Sequence, residues 1–209
     1  MTDLRARFAA LLQRLGAAGD PYPLADAVLA AWTEPGRRYH DAEHLRRCLA
    51  ELDRAPADGA DRDRVEAALW FHDAIYDPRA DDNEARSAGW ALRGLAALGI
   101  PSIIADDVAR LVLLTRHAGP APDASGRLVC DVDLAVLGQD AASFDRYDRR
   151  IRAEYEWVPE PAYRAARRAV LAGLLARSPL YQTAYFRDRY GAAARENLTR
   201  AIARLEEST

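Results

Sequence analysis

Apolar residues recur along the chain at intervals of three and four, the spacing that places them on one face of an α-helix. Leu4, Phe8, Leu11, Leu12 and Leu15 form one stripe, Leu24, Val28, Leu29 and Trp32 a second, and Leu45, Cys48, Leu49 and Leu52 a third. Val65, Ala68, Leu69, His72, Ile75 and Tyr76 continue the pattern, followed by Ser87, Trp90, Ala91, Leu95 and Leu98, then Ile104, Val108, Leu111, Val112 and Thr115. Gly99-Ile100-Pro101 separates the last two, glycine closing one helix and proline opening the next. The run Gly119 to Gly126, with Pro120 and Pro122, predicts the longest irregular connection. Helical stretches follow around Ala141 to Tyr155, Pro161 to Arg177 and Gly191 to Leu205, with Ser178-Pro179 breaking the chain between the last two. No segment alternates over the length of a strand, and no repeat or low-complexity linker divides the chain. The pattern predicts one all-α domain over residues 1–209, built from nine or ten helices.

Composition narrows the chemistry. Half of the 209 residues are hydrophobic, ample for a core. The 29 basic and 32 acidic residues give a net charge of −3 and are spread along the whole length, which argues against a nucleic-acid polymer as partner. Every basic residue is arginine, so Schiff-base chemistry and a lysine-bearing phosphate loop are excluded, and an anionic substrate would have to be held by arginine. Cys48 and Cys130 are too few for a disulfide framework, there is no signal-peptide core after Met1, and no stretch of about 20 apolar residues is free of charge. A soluble cytoplasmic protein without a membrane partner is expected.

One apolar stripe carries an anomaly. His72-Asp73 lies inside Ala67-Ala68-Leu69-Trp70-Phe71-His72-Asp73-Ala74-Ile75-Tyr76-Asp77, and a carboxylate in such a segment needs a hydrogen-bonding partner or a cation. His40 and His44 are spaced i,i+4, which on a helix puts both rings on one face. His44 flanks the stripe of Leu45, Cys48 and Leu49, so it points toward the helix of His72. Cys130-Asp131-Val132-Asp133-Leu134 offers two further acids at the entry to a short apolar helix, one to complete a metal shell and one to cap.

This ordered series of His44, His72-Asp73 and a distant Asp resembles the HD superfamily of metal-dependent phosphohydrolases, and more closely its bacterial branch of predicted phosphohydrolases. The resemblance runs from about Tyr39 almost to the C-terminus, through Tyr39-His40-x-x-x-His44, Phe71-His72-Asp73-x-Ile75-Tyr76-Asp77, Asp82-Asn83-Glu84-x-x-Ser87-Ala88, Thr115-x-His117, Asp131-x-Asp133-Leu134, Ile151-Arg152-x-Glu154-Tyr155 and Ala194-Arg195-x-Asn197-Leu198. It implies a helical fold and a divalent metal ion (Mn, Fe, Co, Ni, Zn or Mg) held by His44, His72, Asp73 and Asp133, with Asp131 as the alternative fourth ligand. The implied activity is hydrolysis of a phosphate ester or anhydride of a small metabolite or nucleotide.

Under that resemblance Glu84 and Asp77 are the candidates to orient or deprotonate the attacking water, while Asp81 and Asp82 read as caps of the helix that bears Glu84. His117, expected at a helix end, is a candidate proton donor, substrate contact or ligand of a second ion. Arg37 and Arg38 are placed to fork a phosphate oxygen, with His40 beside them. Arg152 and Arg195 also fall on motif positions. Three rivals stand beside this expectation. His40-x-x-Glu43-His44 matches the H-x-x-E-H zinc pattern of inverted metallopeptidases, though these have a larger mixed fold. A diiron oxygenase would use His40 and His117 for a second iron, and a non-catalytic module would keep the metal and bind a nucleotide without turnover. The helical tail offers a surface for a homodimer.

Overall fold

The computed structural model describes residues 3–207. Among these there are ten α-helices, one 3-10 helix and no strand, the all-α class that the apolar spacing predicts. They are α1 (Leu4–Arg14), α2 (Tyr22–Trp32), α3 (Ala42–Arg54), α4 (Arg62–Phe71), α5 (Asn83–Ala97), α6 (Ser102–Leu114), α7 (Ala124–Asp133), the 3-10 helix (Leu134–Gly138), α8 (Ala141–Glu154), α9 (Glu160–Leu175) and α10 (Ala184–Glu207). None is long and apolar enough to cross a membrane. The packing divides the chain after Asp133 into two compact units.

Side-chain caps fix several starts by satisfying the amide groups a first turn leaves unpaired. Asp41 accepts from the amides of Glu43 (2.9 Å) and His44 (3.2 Å), and Asp61 from that of Arg64 (3.2 Å). Gly99, at φ +74, turns the chain out of α5 before Pro101 precedes α6, as its place in the sequence predicts.

The first unit is organised around α4. Val65, Ala67, Ala68, Leu69, Trp70 and Phe71 are all buried, so this helix is covered on every side, with α1, α3, α5, α6 and α7 packed against it. Phe8 of α1 stacks on Trp70 at 4.5 Å between ring centroids and meets Phe71 edge-on at 5.8 Å. Trp32 of α2 donates from its indole to the Trp70 carbonyl at 2.9 Å.

Three boundaries depart from the sequence pattern, one of them the last helix, which begins at Ala184 and not near Gly191. The stripe of Val65 to Tyr76 does not stay helical: α4 ends at Phe71, and His72 to Tyr76 form a turn. The irregular connection is shorter than expected, because α7 starts at Ala124 and takes in Ser125 and Gly126. Asp123 accepts from the Gly126 amide at 2.7 Å, a helix-start contact hidden among prolines. Gly126 belongs inside a helix here because a Cβ would stand 2.7 Å from Leu114 and 3.0 Å from Ala121.

In the second unit the 3-10 helix is held by α10 and the segment before it. Asn197 donates to the carbonyls of Leu137 and Gln139, both at 2.9 Å, and the Tyr181 hydroxyl donates to the Leu134 carbonyl at 3.1 Å. Gly138 lies so close to Tyr190 that any Cβ would collide with its backbone. Arg167, almost wholly buried, pairs with Asp148 at 2.9 Å. Two arginines on motif positions are structural in this unit. Arg152 binds Glu160 and the Tyr155 and Val158 carbonyls, and Arg195 binds the Leu175 and Arg177 carbonyls.

Candidate metal centre

Three helix ends of the first unit bring His44, His72, Asp73 and Asp133 together. Asp41 starts α3 so that His44 falls in its first turn, and the apolar face of α3 carries the ring inward to 3% exposure. His72 closes α4, Asp73 follows it, and Asp133 is the last residue of α7. The carbonyl ends of α4 and α7 carry partial negative charge, which favours a cation beside them.

The donor atoms converge closely. His44 Nε2 lies 3.1 Å from His72 Nε2, 3.2 Å from Asp133 Oδ1 and 3.7 Å from Asp73 Oδ2. His72 Nε2 lies 3.1 Å from Asp73 Oδ2 and 3.5 Å from Asp133 Oδ1. Atoms held at about 2.1 Å from one cation stand roughly 3.0–3.4 Å from each other in octahedral or tetrahedral arrangements, so this spacing matches a coordination shell. His72 is also set for the role. Its Nδ1 is 2.8 Å from the Leu69 carbonyl, which can only accept, so Nδ1 carries the hydrogen and Nε2 faces the cluster.

Charge supports the same use. Burial opposes the ionised form of Asp133, but hydrogen bonds from His117, His44 and His72 hold its carboxyl well below the usual range. For Asp73, burial is likewise outweighed, by His72 and then His40. Burial lowers His44 below an ordinary imidazole, more than Asp133 restores it, whereas Asp73 and Asp133 overcome burial at His72 and raise it well above. Without a metal, two partly buried carboxylates therefore face one imidazolium. A divalent cation in place of that proton would leave the centre without its excess negative charge.

Aromatic rings pack around the imidazoles. The Trp32 ring lies 5.4 Å from His72 and 6.2 Å from His44, and Tyr39 packs on His44 at 4.8 Å. His117 Nε2 is 2.8 Å from Asp133 Oδ2, so it holds the oxygen turned away from the imidazole pair. That ring is delivered by a backbone at φ +52, in the left-handed region uncommon for a residue with a side chain. His117 thus lies past the end of α6, in a strained turn beside the cluster.

No protein-family model, curated protein or solved structure matches the chain.

Several expected site residues take other places. Arg37 is not available to a phosphate. Its side chain is 4% exposed, and its guanidinium donates to the carbonyls of His40 (2.9 Å), Asp73 (2.6 Å) and Ala74 (3.0 Å) and to Glu34 (3.1 and 3.3 Å). All five N–H groups are in use. This clamp explains why α4 stops: Arg37 takes the carbonyls of the turn, while Ser87 Oγ bonds both the amide (3.1 Å) and the carbonyl (3.3 Å) of Ile75. Arg38, the other half of the expected fork, is exposed. His40 precedes α3 instead of sharing a helical face with His44, because Asp41 caps the helix between them. Its ring stacks on Tyr76 at 4.1 Å and lies 5.9 Å from His44.

The acids sort in a similar way. Of the Asp131 and Asp133 pair, Asp133 is the one whose carboxylate reaches the imidazoles; Asp131 is buried on α7 outside that set. Both sit in the last turn of α7, ahead of the 3-10 helix. Asp77 is exposed in the turn after α4, where its carboxylate accepts from the Arg79 amide at 2.9 Å and its backbone is bound by Asn83. Glu84 lies in the first turn of α5 with Arg116 3.6 Å from its carboxylate. The capping expected of the acids before it is not made: Asp82 is the N-cap residue and forms no side-chain cap bond.

One neighbour was read only as core. Cys48, a turn beyond His44, places its sulfur 3.7 Å from His44 Nε2, and donor atoms of His44, Cys48, His72 and Asp133 all lie within 4.8 Å of one another. The i,i+4 spacing from His44 was the available signal. This buried group of His, Cys and Asp side chains could hold a metal ion.

Proposed function

We propose that the protein is a metal-dependent phosphohydrolase, acting on a phosphate ester or anhydride of a small metabolite or nucleotide. The observation that carries the reading is the convergence of four nitrogen and oxygen donors at 3.1–3.7 Å around His72 Nε2 and His44 Nε2, with the His72 tautomer pinned by Leu69. The ordered resemblance of these residues to the HD superfamily supports it. In this reading His44, His72, Asp73 and Asp133 hold the ion, which when bound activates a water and offsets charge on the phosphoryl group. Two imidazoles with two carboxylates suit Mn, Fe, Co, Ni or Zn better than a purely structural thiolate site.

The remaining roles belong to side chains. His117 is a positioning residue, holding Asp133 so that Oδ1 faces the imidazoles. Glu84 is the proposed base, taking a proton from the attacking water, with Arg116 3.6 Å from its carboxylate. Arg37 positions Asp73 by binding the Asp73 carbonyl and has no part in holding substrate. A diiron centre gains no support from the two remaining histidines: His117 engages Asp133 through Nε2, and His40 stacks on Tyr76.

The test is a screen of the full chain with each of Mn, Fe(II), Co, Ni, Zn and Mg against nucleotides, cyclic nucleotides and sugar phosphates, reading phosphate or alcohol release beside metal content by elemental analysis. Turnover that depends on bound metal is expected. Stoichiometric nucleotide binding without any product across the panel would replace this reading with a binding module.

A further inference from the structure

We infer that Arg116 is the side chain that binds the substrate's phosphoryl oxygens. The inference rests on the phosphohydrolase reading and on Glu84 as its base. With a divalent ion bound, Asp73 and Asp133 already offset its two charges, so the charge of a phosphoryl group calls for a further cation. The chain has no lysine, and the expected arginine, Arg37, has every N–H group in use within the protein.

Arg116 is differently placed. It follows the end of α6 and is peptide-bonded to His117, whose Nε2 is 2.8 Å from Asp133 Oδ2. Its Nη2 donates to the Asp81 carbonyl at 3.1 Å. Its Nε lies 3.6 Å from Glu84 Oε2, beyond the range of about 2.7–3.2 Å for an N–H···O hydrogen bond. Among the described residues, then, a single N–H of this guanidinium is hydrogen-bonded, and the side chain is half exposed. Glu84 itself lies on the inner face of α5, since Ser87, Ala88 and Ala91, which share that face, are all buried. A base in contact with the attacking water is about 3 Å from it, and that water is about 3 Å from phosphorus. A guanidinium 3.6 Å from the base therefore reaches the phosphoryl oxygens by rotation of its own side chain, and its parallel N–H groups match two such oxygens. The contact with Glu84 is the one a phosphoryl oxygen would replace, while the hydrogen bond to Asp81 keeps the guanidinium in place.

Calorimetric titration of inorganic phosphate into the full chain, loaded with the ion that the metal screen selects, tests this without turnover. Arg116→Gln should bind phosphate about 10–100-fold more weakly than wild type, the factor for a lost charge-assisted hydrogen bond, with metal content and urea midpoint unchanged. Arg116→Lys, which keeps the charge but loses the fork, should fall between the two. Arg86→Gln removes the same charge from the far side of the first turns of α5, where Arg86 lies 3.7 Å from Asp82, and should bind phosphate as wild type does. On any substrate found in the screen, Arg116→Gln should raise KM by the same factor. Wild-type phosphate affinity and KM in Arg116→Gln, or an equal loss in Arg86→Gln, would overturn the inference and leave the phosphohydrolase reading standing. Loss of bound metal together with phosphate affinity would also overturn it, because Arg116 would then act through the centre. Neither phosphate binding nor turnover by the wild-type protein would overturn both. Should Arg116→Gln fail to fold, phenylglyoxal labelling of the wild-type chain, read by peptide mass spectrometry, decides: protection of Arg116 by phosphate with Arg86 unprotected supports the inference, and equal labelling of Arg116 with and without phosphate refutes it.

Discussion

Replacing Arg37 with Ala separates a structural clamp from a substrate-binding arginine. The guanidinium serves three backbone carbonyls, those of His40, Asp73 and Ala74, and all are interior to the turns that present the cluster. Each carbonyl left without a donor costs about 1–3 kcal/mol, and water entering the vacated volume recovers part of it. Its ion pair with Glu34 adds little, since Glu34 is more than half exposed. A loss of about 3–5 kcal/mol follows from three orphaned carbonyls. For a unit of this size that corresponds to a fall in Tm of roughly 10–20 °C. Urea denaturation monitored by tryptophan fluorescence reads the energy directly, because Trp32 and Trp70 both lie in the unit that would loosen. Arg37→Lys offers at most three donors from a single point and should recover only part of the loss. Because the same guanidinium holds the Asp73 carbonyl, metal affinity should fall alongside stability. A variant with unchanged denaturation midpoint and metal content, but a raised KM, would refute the clamp and restore Arg37 to the substrate.

Other expectations follow from the same geometry. His72→Ala and Asp133→Ala should each abolish stoichiometric metal in elemental analysis, whereas Asp131→Asn should retain it. Glu84→Gln should keep the metal and lower kcat by about 10²–10⁴-fold, the range for loss of a general base, with normal turnover rejecting that role. In the metal-free chain His72 is held protonated above its ordinary range and His44 neutral below it, so the folded pair keeps one proton while the unfolded pair has two below about pH 6.5 and none above. Stability should therefore rise with pH to about 6.5, fall beyond it as His72 nears its raised value, and lose that alkaline fall on saturation with zinc; thermal denaturation across the neutral range measures it. Gly138→Ala should destabilise the second unit by about 1–3 kcal/mol or more, since its Cβ meets the Tyr190 backbone rather than a movable side chain.

The helices were legible because burial on one face leaves a period of three to four, and that rule needs no knowledge of neighbours. Their ends were not. α4 carries apolar residues at helical spacing as far as Tyr76, yet it stops at Phe71, because the donors that take over the following carbonyls and amide come from Arg37 and Ser87, far away in sequence. The same contacts recast two motifs. Asn83 and Ser87 clasp the backbone of Ile75 to Asp77, so the segment that seemed to surround Glu84 with chemistry chiefly fixes the turn after His72-Asp73.

At the centre itself, residue type pointed to the right neighbourhood and could not assign the faces. Asp131 and Asp133 stand about 200° apart around a helix, so only one can face the imidazoles, but both adjoin Val132 in an apolar run and Asp131 is as buried as a core residue. Hydrophobic surroundings therefore do not distinguish ligand from bystander; the ion pairs of Asp133 with His44, His72 and His117 do. Cys48 was obscured for the opposite reason: within an apolar stripe a cysteine is indistinguishable from a small core residue until its sulfur is seen beside His44. This unit thus brings together two partly buried ionised carboxylates, a thiol and two imidazoles of which one is protonated. An arrangement with that much unbalanced negative charge would be replaced at a gain in stability by apolar residues of similar size if packing were its purpose. A cation at the point where those donors meet would balance that charge, and this group of side chains could hold one.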